Sequence, residues 1–245
     1  MKPVISIVTV NWRARDFLDL QIKSLLKNAS GENWFEYIVV DNSGELVGGE
    51  FGPLVKVIKT NSRIGHGHGA GLDLGVMEAQ GEYVFILDID SHVLLKDWDK
   101  HLLSLFQQDK KLACVTDGEL LKPAKPLAMF FRKKTIVENN ISFKAREFDG
   151  VKFDVGVHAY FKILSLYGDN AILGLPWCQT KYDDVLGCEY LLDGNRFVYH
   201  NWYGTRWYFE DGSIERDEID GLKYEEFLRK KINLFKQFYE DYFKG

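Results

Sequence analysis

Apolar residues along the first part of the chain follow two rhythms in turn. Val4 to Val10 is a β-branched run, which predicts a buried strand. Leu18, Ile22, Leu25 and Ala29 then recur at helical spacing and predict a helix over Asp16–Asn28. Phe35 to Val40 reads as a second buried strand, ending in Asp41, and Gly44 to Gly52 as a glycine-rich loop. Leu54–Ile58 predicts a third strand, Asn61–Gly69 a loop rich in Gly and His, Ala70–Ala79 a helix, and Tyr83–Leu87 a fourth strand. This alternation predicts an α/β fold with a Rossmann-like, mostly parallel sheet flanked by helices. Asn11, Asp41 and Asp88 end three of the strands, so a parallel sheet would gather them along one polar rim.

Beyond residue 90 the pattern loosens. Asp97–Gln107 reads as a helix with Leu102, Leu103 and Phe106 on its apolar side, and Leu112–Thr116 and Leu127–Phe131 read as strands. Val157, Phe161 and Leu164 give Asp154–Tyr167 helical spacing, and Arg196–Tyr199 reads as a short strand ending in His200. Asn201–Asp220 reads as a polar loop opening on Trp202, Tyr203, Trp207, Tyr208 and Phe209. Leu222–Phe243 predicts a long amphipathic helix with Phe227, Leu228, Phe235, Phe238, Tyr239 and Tyr242 on one side. The composition shifts near Lys133, but no repeat or linker divides the chain.

At 245 residues with 46% apolar content, one large domain is expected. The net charge of −5 argues against a nucleic-acid backbone as main partner; Arg132, Lys133 and Lys134 form a local basic patch only. Cys114, Cys178 and Cys188 lack metal-site spacing and read as reduced thiols. With no signal-peptide pattern and no apolar run long enough to cross a bilayer, a cytoplasmic location is expected.

The chemistry concentrates in Gly81-Glu82-Tyr83-Val84-Phe85-Ile86-Leu87-Asp88-Ile89-Asp90, where a strand-type run ends in two carboxylates. If the extended geometry continues through Ile89, strand alternation points both acids the same way. Two hard oxygen ligands at the carboxyl end of a buried strand suit Mg²⁺ or Mn²⁺ carrying a diphosphate. A lone Asp-x-Asp triplet is a chance-level signal in an acidic chain, so its weight comes from its company.

That company is ordered: Thr9-Val10-Asn11-Trp12, then Val39-Val40-Asp41-Asn42-Ser43, then Asn61, Gly65, Ala70 and Gly75, then Gly81-Glu82-Tyr83 leading into Leu87-Asp88-Ile89-Asp90. The series resembles glycosyltransferase family 2, closely over the first hundred or so residues and through single motifs thereafter. The resemblance implies a GT-A fold and an inverting, metal-dependent hexosyltransferase-like enzyme. It would move a sugar from a nucleotide-sugar, UDP-sugar by family habit, to a hydroxyl of a glycan or glycoconjugate. It implies one domain over 1–245: a nucleotide-sugar-binding half at 1–110, an acceptor and catalytic half at 111–220, and a C-terminal helix at 221–245.

By the same resemblance Asp88 and Asp90 hold ribose and metal, His200 completes the metal site, and Mn²⁺ or Mg²⁺ is the cofactor. Thr9, Asn11, Trp12 and Asp41 line the base pocket, and Asn61 and Gly65 the donor loop; by their own chemistry Arg206 suits the diphosphate, and Trp202 and Trp207 suit an acceptor sugar or, equally, a hydrophobic latch over the sheet. Asp154 takes the place of the catalytic base, with Asp149, Asp183 and Asp184 in reserve. Phe153 and Gly156 stand where the family places further acids. Each assignment has a plainer counterpart: Asp41 as a turn residue, Trp12 as core, His200 as structural, Arg206 as a loop arginine, Asp154 as a helix cap.

Three other readings stay open. Gly65-x-Gly67-x-x-Ala70 followed by Asp88 fits a nicotinamide-dinucleotide fingerprint, although its glycines begin several residues after the strand. His66, His68 and His92 could form a metal cluster. The domain could also bind a nucleotide-sugar or glycan without turnover. A sugar nucleotidyltransferase is disfavoured, because Asn11–Arg15 contains no glycine. The C-terminal helix is compatible with a homodimer contact or, through Lys230, Lys231 and Lys236, with peripheral membrane contact.

Overall fold

The structure, a computed structural model, describes residues 2–60, 67–106, 109–116, 128–148, 151–182 and 185–201, with isolated positions between 218 and 240. In chain order the elements are β1 (Ile5–Asn11), α1 (Arg15–Asn28), β2 (Phe35–Asp41), β3 (Val55–Lys59), α2 (His68–Glu78), β4 (Tyr83–Leu87), β5 (Ser91–Val93) and α3 (Trp98–Phe106). Then follow β6 (Leu112–Val115), β7 (Ala128–Arg132), α4 (Lys133–Glu138), β8 (Arg146–Phe148), β9 (Val151–Phe153), α5 (Val157–Tyr167), β10 (Ile172–Leu175), β11 (Trp177–Tyr182), β12 (Val185–Leu192) and β13 (Asn195–His200).

The central sheet has seven strands in the order β10-β6-β7-β4-β1-β2-β3. Pairings β4–β1, β1–β2, β2–β3 and β10–β6 are parallel. Only β7 runs against its neighbours. Every residue of β1 and β4 is buried, as expected of strands covered on both faces. One core layer joins Ile5, Ile7, Tyr37, Val39, Phe85 and Phe130 to α1 and α3. The other joins Val8, Val10, Ile38, Val40, Val84 and Ile86 to α2 and α5.

Helix α2 lies unusually close to the sheet. A Cβ at Gly75 would come 2.4 Å from Val8 Cγ1, and one at Gly71 would come 2.8 Å from Val10 Cγ2. The glycines therefore permit an approach that alanine would block.

In a second, antiparallel sheet, β11-β12-β13-β5, only β13 has a counterpart in the sequence reading, the short strand over Arg196–Tyr199. It places His200 opposite Ser91, beside the end of β4. The expected long helix from Leu222 is corrected at its start, because Leu222–Lys223 pairs as a strand with Glu218–Ile219. The described positions from Glu226 to Glu240 are helical, and the apolar residues assigned to that helix lie outside the described residues.

Candidate active site

The sheet edge assembles as the alternation predicts. Asn11 and Asp41 are register partners in β1 and β2. Both are fully buried. Asn11 Nδ2 donates to Asp41 Oδ1 at 3.0 Å, to Ser43 Oγ at 3.0 Å and to Glu45 Oε1 at 3.1 Å. Asp41 Oδ1 also accepts the Ser43 N–H at 3.1 Å and its hydroxyl at 2.7 Å, and Oδ2 accepts the Leu46 N–H at 2.9 Å. The Asp41 carboxylate thus shapes the turn after β2, the role its turn-forming counterpart foresaw. Thr9 is buried in the same strand, while Trp12 is half-buried beyond it with the Arg13 guanidinium 5.9 Å from its ring centroid.

The two acids converge, but not by strand alternation. β4 stops at Leu87, and the Ser91 N–H donates to the Asp88 carbonyl at 3.0 Å, closing a turn over residues 88–91. The turn, rather than an extended Ile89, brings Asp90 back beside Asp88. It is held by side-chain amides. Gln21 Nε2 donates to the carbonyls of Asp88 at 2.6 Å and Ser91 at 2.8 Å. Asn201 donates to the Asp90 carbonyl through its backbone N–H at 2.9 Å and Nδ2 at 3.0 Å.

His200 meets the acids from the second sheet. Its Nε2 lies 3.0 Å from Asp90 Oδ1 and 3.8 Å from Asp88 Oδ2. One ligand atom from each of Asp88, Asp90 and His200 falls within 4.8 Å of the others. Two hard carboxylate oxygens and one imidazole nitrogen fit Mn²⁺ or Mg²⁺. The Tyr190 ring stacks beside His200 with centroids 6.2 Å apart.

Charge at this site is mutual. Burial pulls the His200 pKa down, but the charge and hydrogen bond of Asp90, then Cys188 and Asp88, overcome it and push it up to about 10. Burial pushes the Asp88 carboxyl up to about 6; His68 and His200 counteract this, and Asp90 and Asp154 add to it. Without a metal, the imidazolium is the counter-ion of buried Asp90 and half-buried Asp88.

Asp154 is exposed just before α5, and its charge is felt at Asp88. It is not the cap of α5: that position is Gly156, and Asp154 Oδ1 instead accepts the Val155 N–H at 2.7 Å. The departures on either side have structural causes. Phe153 packs edge-on against Phe161, with centroids 6.0 Å apart. Gly156 sits at φ 80°, where a carboxylic side chain would be strained, and donates its N–H to the Phe143 carbonyl at 2.8 Å. That carbonyl also lies against Gly69 of α2, and Asp73 Oδ1 accepts the Phe143 N–H at 2.7 Å. Helix α2 thus anchors the segment that presents Asp154.

His68 is a site neighbour that periodicity overlooked; its Nε2 lies 3.3 Å from Asp88 Oδ1. Of the histidine trio, His66 lies outside the described residues. His92 is fully buried against Tyr199, and the one metal-competent group among the described residues is Asp88, Asp90 and His200. The basic triplet has local partners, Lys134 Nζ lying 3.5 Å from Glu138 Oε1. Arg132 pairs with Glu82, and Lys133 Nζ donates to the carbonyls of Met77 and Ala79 at 2.8 and 2.7 Å. The dinucleotide fingerprint loses its tight turn, since α2 begins at His68, well after β3 ends at Lys59. Asn61, Gly65, His66, Asp149, Asp183, Asp184, Trp202, Arg206 and Trp207 lie outside the described residues.

Residues 6–118 match the family described as glycosyl transferase family 2. No curated protein sequence matches the chain. Among solved structures, S. aureus TarS 1-349 superposes with a TM-score of 0.55 at 15% identity, covering 83% of this chain and 61% of that one. Its complex with UDP gives 0.53 at 16%, covering 81% and 60%. The mannosyltransferase PcManGT from Pyrobaculum calidifontis, in complex with GDP-Man and Mn²⁺, gives 0.52 at 13%, covering 76% and 56%. The fold is therefore of the GT-A type, and the chain spans about three-fifths of the length of these structures. Among the described residues no helix is long and apolar enough to cross a membrane.

Proposed function

Residues 6–118 are a glycosyl transferase family 2 region on a GT-A fold, and from that premise we propose that the chain is a metal-dependent, inverting nucleotide-sugar glycosyltransferase. The observation that carries the proposal is the convergence of Asp88, Asp90 and His200 at the carboxyl edge of the parallel strands. Structures of the same fold bound to UDP, or to GDP-Man and Mn²⁺, support a nucleoside-diphosphate sugar as donor. UDP-sugar is the donor we favour, with a hydroxyl of a glycan or glycoconjugate as acceptor and hexosyl transfer as the reaction.

In this reading Asp88, Asp90 and His200 hold Mn²⁺ or Mg²⁺, and Asp88 also meets the ribose. When bound, the ion neutralises charge on the departing diphosphate. Thr9, Asn11, Trp12 and Asp41 form the base pocket, with Asp41 acting largely through the turn it holds. Asn61, Gly65 and Arg206 belong to the donor site, and Trp202 and Trp207 to the acceptor site. Asp154, exposed and electrostatically linked to Asp88, is the base. It takes the proton of the acceptor hydroxyl as that oxygen bonds to the anomeric carbon. The bond to the diphosphate oxygen breaks, and its electron pair leaves with the nucleoside diphosphate.

The test is release of nucleoside diphosphate from a panel of nucleotide-sugars, with and without Mn²⁺. Metal-dependent release from one nucleotide class is the expected result. Saturable sugar-nucleotide binding without release under any acceptor would instead identify a binding module. Tight NAD binding without metal would overturn the reading.

A further inference from the structure

Helix α1 has a buried polar stripe. Gln21 and Ser24 are fully buried, with Asn28 one helical turn further on. All three reach the same short segment. Gln21 takes the carbonyls of Asp88 and Ser91, the Ser24 hydroxyl accepts the Val93 N–H at 3.0 Å, and Asn28 Nδ2 donates to the Val93 carbonyl at 2.9 Å. Pairing with β13 occupies one edge of β5, and this stripe serves the opposite edge.

Gln21 differs from the other two in what it holds. Two carbonyls can only accept, so its NH₂ group must face them, which leaves Oε1 for a donor. The buried Tyr37 hydroxyl, from β2, donates to that oxygen. One amide is thereby oriented by β2, anchored on α1 and attached at both ends of the turn bearing Asp88 and Asp90. We infer that Gln21 is a positioning residue for this metal-bearing turn: its bonds to the carbonyls of Asp88 and Ser91 hold the two carboxylates convergent on His200. The inference rests on the metal-site reading above, and its consequence is that ligand geometry depends on a residue that itself touches no ligand atom. Outer groups of this kind commonly change metal affinity by about 10–100-fold when removed.

The test uses the full chain and two variants. Gln21→Met keeps the side-chain length and removes every hydrogen bond. Asn28→Leu removes one hydrogen bond from the same stripe at its far end. Mn²⁺ affinity is measured by calorimetry, and amide exchange of Ser91 is followed in the metal-free protein. Gln21→Met should weaken Mn²⁺ binding about tenfold or more and speed Ser91 exchange. Asn28→Leu should lower the melting temperature with both readouts unchanged. The inference is overturned if Gln21→Met binds Mn²⁺ like the parent chain, or if Asn28→Leu matches its losses. A parent chain that binds no Mn²⁺ would sink the metal reading, and Ser91 exchange alone would then decide whether Gln21 holds the turn. Tyr37→Phe, which frees the amide to rotate, should move both readouts in the same direction by less.

Discussion

His200 Nε2 lies 3.0 Å from Asp90 Oδ1, joining the last strand of the antiparallel sheet to the turn that follows β4 of the central sheet. Two sheets thus share one charge cluster, and its integrity reports on both. Replacing Asp90 with Asn removes a hard ligand while keeping the side-chain volume. We expect metal-dependent turnover to fall by about 3 kcal/mol in barrier terms, roughly 100-fold. Circular dichroism should show a folded chain. A fully active, still metal-dependent variant would refute the assignment.

The pH response follows from the same pair. Folded His200 holds its proton up to about 10, above the ordinary 6.5 of an unfolded histidine. Its stabilising contribution is full below pH 6.5 and is lost as pH rises through 10. Folded Asp88 holds its proton up to about 6 rather than 3.8, so it costs stability once pH exceeds that range. Both act with the same sign: the metal-free chain should melt at lower temperature at pH 9 than at pH 6. Metal must displace the His200 proton, so Mn²⁺ affinity should rise about tenfold per pH unit between 7 and 9. Differential scanning fluorimetry across pH, with and without Mn²⁺, checks both slopes.

Asp154 can be separated from the metal site. Asp154→Asn keeps the bond to the Val155 N–H possible and removes the base. Turnover should drop by roughly 10²–10⁴-fold, with Mn²⁺ and donor affinity retained. Loss of donor binding together with turnover would instead place Asp154 in the donor site.

Gly75 offers a test of the fold. Alanine there would gain about 1 kcal/mol in helix propensity, but its methyl would meet Val8 Cγ1 at 2.4 Å. Val8 is β-branched and fully buried in β1, so it has little freedom to turn aside. Overpacking costs about 1–3 kcal/mol and should win, leaving Gly75→Ala less stable by about 1 kcal/mol in urea unfolding. A more stable variant would show that α2 can shift outward.

How much of this was legible beforehand depended on the kind of signal. β4 was read to its boundaries, and β1, β2, β3 and α2 to within a few residues, because burial on both faces of a sheet writes itself as uninterrupted apolar runs. The rim of Asn11, Asp41 and Asp88 followed from the same runs, since parallel strands must end on one side. Of the antiparallel sheet only β13 was legible; β11 and β12 mix polar and apolar residues without a clean period. Gln21 was missed because a polar residue on a buried helix face counts against an apolar pattern.

The sequence by itself determined the α/β alternation, the order of strand ends and the acids at their tips. Each follows from local periodicity, which reports which side of an element leaves water. Tertiary structure alone decided that the two acids meet through a turn, that Gln21 and Asn201 hold its carbonyls, and that the segment carrying Asp154 is tied to α2 through Phe143. The physical reason is that side-chain bonds to backbone carbonyls impose no repeating pattern on either partner. They exist only once distant segments have been packed together.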